Sequence, residues 1–158
     1  MVEKVNKTGG KMSLVDLKSY EPKWRKPIVF DYKDLKIISM GPPSSGGICL
    51  AQMMKMIEPF NIGEIEYKSH KALHLMIEAE RRSYADRSYF LGDPDFVSVP
   101  KYYLISSDYL NERMLNYNPT LASKSSSISH GDIVVIESDE TTHFSILDSF
   151  GNAVSVTT

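Results

Sequence analysis

A chain of 158 residues, 42% hydrophobic and 24% charged, is long enough for one globular domain with a core of its own. Its 18 Lys and Arg stand against 20 Asp and Glu, and the resulting net charge of -2 excludes the basic footprint that nucleic acid or an anionic membrane surface requires. No apolar run reaches the roughly 18 residues of a membrane span, and the opening "MVEKVNKTGGKMS" lacks an apolar export core.

The first regular pattern is "KPIVFDYKDLKIIS", two short apolar runs at 28–32 and 35–39 around a Lys-Asp turn, which predicts a β-hairpin. The period then changes in "MGPPSSGGICLAQMMKMIEPF". Pro42 and Pro43 break any strand, and Leu50, Met53, Met54 and Ile57 recur at i, i+3, i+4 and i+7, which predicts a helix over 47–57 with those residues on its buried face. Methionine at helical spacing is core material. Cys49, the single cysteine, has no disulfide partner and reads as a buried structural thiol, not a nucleophile.

A longer helix follows over 69–90, with Leu73, Met76, Ile77 and Tyr84 expected on the packed side and Lys71, Glu78, Arg81 and Arg82 toward solvent. His70 and His74 share a helix face at i, i+4, but no Glu-bearing zinc motif surrounds them, so neither metal nor cofactor is expected. Asp93 and Asp95 flank Pro94 and read as turn caps. A third, shorter helix is expected over 108–115, and the Ser-rich "NPTLASKSSSISHGD" reads as a surface loop or mobile linker. The texture then turns to β: "DIVVIES", "HFSILD" and "NAVSVT" read as strands, the last two joined by "SFGN", whose Gly151 and Asn152 suit a tight turn. By propensity alone, Thr141 and Thr142 are strand-entry residues.

The segments "GPPSSGGICLAQMMKMIE", "AERRSYADRSYFLGDPDFVSVP" and "TTHFSILDSFGNAVSVT" resemble, in order, three long signatures of the γ-glutamyltranspeptidases, N-terminal nucleophile enzymes that split glutathione. The resemblance runs over nearly the whole chain, from about "GGKMSLVDLKSYEPKWRKPI" onward, departing where many members read Pro-Pro-Pro and this chain has Gly41-Pro42-Pro43. It implies an α+β piece of the four-layer αββα N-terminal nucleophile fold, with strands in 133–157 in one sheet and the helices at 47–57 and 69–90 covering one side.

The resemblance implies that Thr141, which opens the Thr-Thr-His segment, is the nucleophile, and that Glu140-Thr141 is the processing site of a zymogen. An alcohol needs a general base beside it. Autocatalytic cleavage would supply one: attack of Thr141 Oγ on the Glu140 carbonyl, an N-to-O acyl shift and hydrolysis free an α-amino group with a reference pKa of about 7.7–8.0. Thr142 and the adjacent His143 remain structural. The implied partners are glutathione or other γ-glutamyl compounds, with water or an amino-acid or peptide amine as acceptor. The implied compartment is periplasmic or extracellular.

Residues 1–140 then correspond to the C-terminal part of a large subunit and 141–158 to the start of a small one. The family's upstream arginine, which grips the substrate α-carboxylate, has no counterpart here. Nor do its downstream asparagine, acidic, serine and paired glycine residues. The expectation is therefore an incomplete segment, inactive by itself, with an open sheet edge prone to association. The alternatives are a non-catalytic remnant that associates with other enzyme segments, and a related N-terminal nucleophile amide acylase.

Overall fold

The computed structural model describes residues 1–132 and, beyond them, the strands His143–Leu147 and Ala153–Thr157; the other residues from 133 onward lie outside the description. Two short helices open the chain, α1 (Val2–Lys7) and α2 (Leu14–Ser19), and neither buries a residue. They follow no apolar periodicity. What sets α2 is a capping box, in which Ser13 Oγ accepts the Asp16 N–H at 3.1 Å and Asp16 Oδ2 accepts the Ser13 N–H at 2.7 Å.

Strands β1 (Ile28–Tyr32) and β2 (Leu35–Ser39) form the expected antiparallel hairpin, with Ile28 opposite Ser39 and Tyr32 opposite Leu35. Period-two alternation places Ile28 and Phe30 in the core and leaves Val29 and Asp31 exposed. Lys33 makes the turn with φ +54°, and its N–H donates to Glu58 Oε1 at 2.6 Å, tying the hairpin to the end of the next helix.

Helix α3 (Gly46–Ile57) begins in "SSGG". A Cβ at Gly47 would run into the Met40 carbonyl oxygen, so glycine lets the helix start lie directly on the chain leaving β2. Helix α4 (His70–Phe90) is capped by Ser69, whose Oγ accepts the Ala72 N–H at 3.3 Å. Helix α5 (Lys101–Leu104) and helix α6 (Ser107–Met114), the latter within a residue of its expected bounds, complete the helical part. β3 (His143–Leu147) and β4 (Ala153–Thr157) pair antiparallel, His143 opposite Thr157 and Leu147 opposite Ala153. The strand read in "DIVVIES" and the turn at Gly151 and Asn152 fall outside the described residues.

One apolar cluster joins these elements: Ile28 and Phe30 from β1, Ile48, Ala51 and Met56 from α3, Leu75, Ala79 and Phe90 from α4, and Leu104, Leu110 and Met114 from α5 and α6. Both long helices differ in phase from the expectation. In α3 the inner face is Ile48, Cys49, Ala51, Gln52 and Met56, while Leu50 is exposed and Met53, Met54 and Ile57 are half-buried. In α4 the inner face is Ala72, Leu75, Glu78, Ala79, Arg82, Ser83, Asp86 and Phe90, whereas Leu73, Met76, Ile77 and Tyr84 are each 45–50% exposed. Glu78 and Arg82, expected in solvent, are fully buried. The reason is that they pair with one another and with backbone, which removes the penalty that normally keeps charge outside.

Candidate functional site

The resemblance implies chemistry at Glu140 and Thr141, and both lie outside the described residues, as does Thr142. Among the described residues the polar side chains gather instead along the inner face of α4, in two groups that reach the segment leading toward that bond.

In the first group, Arg82 Nη1 donates to Glu78 Oε2 at 2.7 Å and to the Glu78 carbonyl at 2.8 Å. Its Nε donates to the Arg113 carbonyl at 2.8 Å and its Nη2 to Asn116 Oδ1 at 2.6 Å, so the buried guanidinium is satisfied on every side. Glu78 Oε1 accepts the Ser123 N–H at 2.9 Å. Burial pushes the Glu78 carboxyl up, but the donors of Arg82 and Ser123 together outweigh it and hold it down at about 2.

In the second group, Asp86 Oδ1 accepts the Gly131 N–H at 3.0 Å and faces Arg113 Nη2 at 3.1 Å. Its Oδ2 accepts from Gln52 Nε2 at 2.9 Å, and Gln52 Oε1 accepts from Ser83 Oγ at 3.0 Å. Asp86, Gln52 and Ser83 are all fully buried. Desolvation raises the Asp86 carboxyl above its ordinary value, with Arg113 and the Gly131 N–H opposing. Tyr109, packed at the same place, is raised strongly by burial and by the charge of Asp86.

These groups reach across the Ser-rich stretch. Its residues are mostly exposed and hold only a short 3-10 turn at Ser125–Ser127, as a surface loop should, but it is anchored and not a linker. Arg81 donates to the Ser123 carbonyl, Arg113 Nη2 donates to the Ser129 carbonyl at 2.7 Å, and the His130 ring stacks on Tyr89 at 3.5 Å.

Cys49, Asp93, Asp95 and His74 are each packed or hydrogen-bonded within the described residues. Cys49 is 5% exposed, and burial raises its thiol above the ordinary range, away from the thiolate a nucleophile needs. Asp93 caps its turn by accepting the Asp95 N–H at 2.9 Å. Asp95 does more than the sequence suggested: hydrogen bonds from Arg25, at 2.6 and 2.7 Å, and from Lys23, at 2.7 Å, hold its carboxyl well below the usual range. His74 Nε2 contacts the Asn118 carbonyl at 2.8 Å, and no group of three metal-ligating side chains occurs among the described residues. No helix among them is long and apolar enough to cross a membrane.

The signature segments also explain one another. Arg87 of α4 donates its Nε–H to Ser45 Oγ at 3.0 Å, joining "ADRSYF" to the Ser-Ser-Gly-Gly start of α3. Sequence reasoning missed the buried cluster because hydropathy assigns Glu, Arg and Asp outward. The spacing of 75, 79, 82, 86 and 90 around the small Ala79 was the available signal.

Residues 1–158 match the family model for Gamma-glutamyltranspeptidase, and the chain belongs to that family. It is 40% identical over 157 residues to the glutathione hydrolase proenzyme of Escherichia coli K12, an alignment covering 99% of this chain and 27% of the relative. It is 38% identical over 150 residues to the acylase ACY 1 proenzyme of Pseudomonas sp. V22, covering 94% of this chain and 26% of that one. The fold superimposes on the crystal structure of Helicobacter pylori γ-glutamyltranspeptidase with a TM-score of 0.75 at 42% identity, over 82% of this chain and 37% of the other. The mixed α+β architecture is thus a piece of the N-terminal nucleophile hydrolase fold, and the chain spans about a quarter of the length of the curated relatives it matches.

Proposed function

We propose that this chain is the segment of a γ-glutamyl transferase and hydrolase that spans its processing site, with 1–140 ending a large subunit and 141–158 beginning a small one. The observation that supports this reading is a family match over residues 1–158, a range that includes Glu140 and Thr141. The relatives' description as proenzymes supports a cleavage step.

In the processing step, Thr141 Oγ attacks the Glu140 carbonyl carbon and the peptide nitrogen leaves, giving an ester between Glu140 and Thr141 Oγ. Water hydrolyses that ester to a Glu140 carboxylate, a free hydroxyl and a free Thr141 α-amine. In the catalytic step the amine takes the hydroxyl proton as Oγ attacks a γ-glutamyl carbonyl, and the protonated amine fragment departs. Water then resolves the acyl-enzyme by hydrolysis, or an amino-acid or peptide amine resolves it by transfer. Glutathione is the substrate that best fits the relatives' names, and a periplasmic or extracellular setting fits the family.

With the flanking segments restored, Thr141→Ala should abolish subunit formation, release of glutamate from glutathione and transfer to a dipeptide. Wild-type rates in that variant would remove Thr141 from the mechanism. An amide acylase of the same superfamily is a second reading, favoured by the 38% identity to acylase ACY 1. A panel of γ-glutamyl anilide against other acyl amides separates the two.

A further inference from the structure

Residues 129–131 are the last before the predicted strand toward Thr141, and they are held by side chains that the chemistry above leaves unused. Asp86 Oδ1 accepts the Gly131 N–H at 3.0 Å, and Arg113, paired with Asp86 at 3.1 Å, donates to the Ser129 carbonyl at 2.7 Å. Asp86 is itself fixed from behind by Gln52 at 2.9 Å, and Gln52 by Ser83 at 3.0 Å. Gly131 lies so close to Tyr109 that a Cβ there would strike its ring.

Packing α3 against α4 does not require this. A leucine at position 86 would fill the space without the desolvation cost of a fully buried carboxylate. What the carboxylate adds is an acceptor aimed at one backbone N–H of a loop 45 residues away in sequence. A charge-assisted bond to that N–H fixes where the chain leaves the helical layer.

We infer that Asp86 and Arg113 are positioning residues for processing: a buried clamp on residues 129–131 that sets the register in which the following segment approaches Glu140-Thr141. The inference rests on the reading of Thr141 as nucleophile. Register matters because side chains alternate with a period of two, so a slip of one residue turns each of them to the opposite face. A nucleophile misplaced by about 1 Å loses on the order of a hundredfold in rate.

The test compares wild type, Asp86→Leu, Asp86→Asn, Gly131→Ala and Thr141→Ala in the precursor with its flanking segments restored. The readouts are the rate at which two subunits appear on a denaturing gel, the thermal midpoint, and kcat and KM of cleaved enzyme. Asp86→Leu and Gly131→Ala should slow subunit formation at least tenfold while kcat per cleaved enzyme moves less than twofold. Asp86→Asn keeps an acceptor oxygen for Gly131 and should recover most of the rate. Gly131→Ala keeps Asp86, Arg113, Gln52 and Ser83 and forces the loop and the Tyr109 ring apart, so it loads the clamp from the loop side and decides the matter if Asp86→Leu fails to fold. Wild-type processing in Gly131→Ala with Thr141→Ala inert would overturn the clamp alone, as would Asp86→Asn processing as slowly as Asp86→Leu. Cleavage in Thr141→Ala would overturn the nucleophile reading instead.

Discussion

A carboxylate and a guanidinium at i, i+4 on the inner face of α4, both fully buried, are worth more as a pair than either is alone. Removing Arg82 by Arg82→Met leaves Glu78 without its cation and should cost about 3–5 kcal/mol in urea unfolding of the restored precursor, whereas a joint apolar replacement of both residues should cost less. The pair also sets an acid limit. Glu78 is held at about 2 in the folded chain against an ordinary 4.5, so the stability it contributes is present above pH 4.5 and lost as pH falls toward 2. Asp86, raised by burial against the opposing pull of Arg113 and the Gly131 N–H, works in the opposite sense, because protonation relieves part of its desolvation. Unfolding midpoints between pH 2 and 6 should therefore fall toward acid in wild type and fall less steeply in Glu78→Gln; equal slopes would exclude Glu78 as the source. At Cys49, burial and a raised thiol predict slow labelling by a thiol reagent under native conditions, and Cys49→Ala should keep nearly full γ-glutamyl hydrolysis once the flanking segments are present.

At the scale of elements, what was legible followed from local pattern. The β1–β2 hairpin appeared with its strand bounds and Lys-Asp turn because alternation and turn chemistry act over a few residues. Helix α4 began at its Ser69 cap as spacing implied, and Ser69→Ala should lower stability by about 1 kcal/mol, measured by denaturant unfolding, since one N–H of the first turn loses its acceptor. The phase of α4 was not legible. Leu73, Met76, Ile77 and Tyr84 form a helical stripe as plausible as the true one, and hydropathy prefers it. The true face is selected by partners far along the chain, Asn116, Ser123 and Gly131, whose bonds make burial of Glu78, Arg82 and Asp86 tolerable. The same partners explain why the Ser-rich loop, polar enough to read as a linker, is tied down at Ser123, Ser129 and Gly131. The proposal of Thr141 as nucleophile rests on resemblance alone, since a threonine before a strand carries no distinguishing local signal.

At the scale of the whole molecule, these helices and strands correspond to one part of the relatives' fold: the chain covers 37% of the Helicobacter pylori enzyme chain it superimposes on and 27% of the Escherichia coli relative. The proposed cleavage at Glu140-Thr141 would require Thr141 Oγ to reach the Glu140 carbonyl while a preorganised donor stabilises the tetrahedral oxyanion, and removing one such donor costs roughly a hundredfold to a thousandfold in rate. In the family that the sequence resembles, those donors lie downstream of the Thr-Thr-His signature. The clamp at Asp86 and Arg113 acts on residues 129–131 and leaves stabilisation of the oxyanion to those donors. The 158-residue polypeptide taken alone should therefore stay uncut and release no glutamate from a γ-glutamyl anilide, while the same residues with flanking segments restored should be processed. Intact-mass spectrometry after prolonged incubation decides it: a C-terminal peptide beginning at Thr141 would mean that this stretch assembles a competent processing site unaided, and that the donor lies among its own residues.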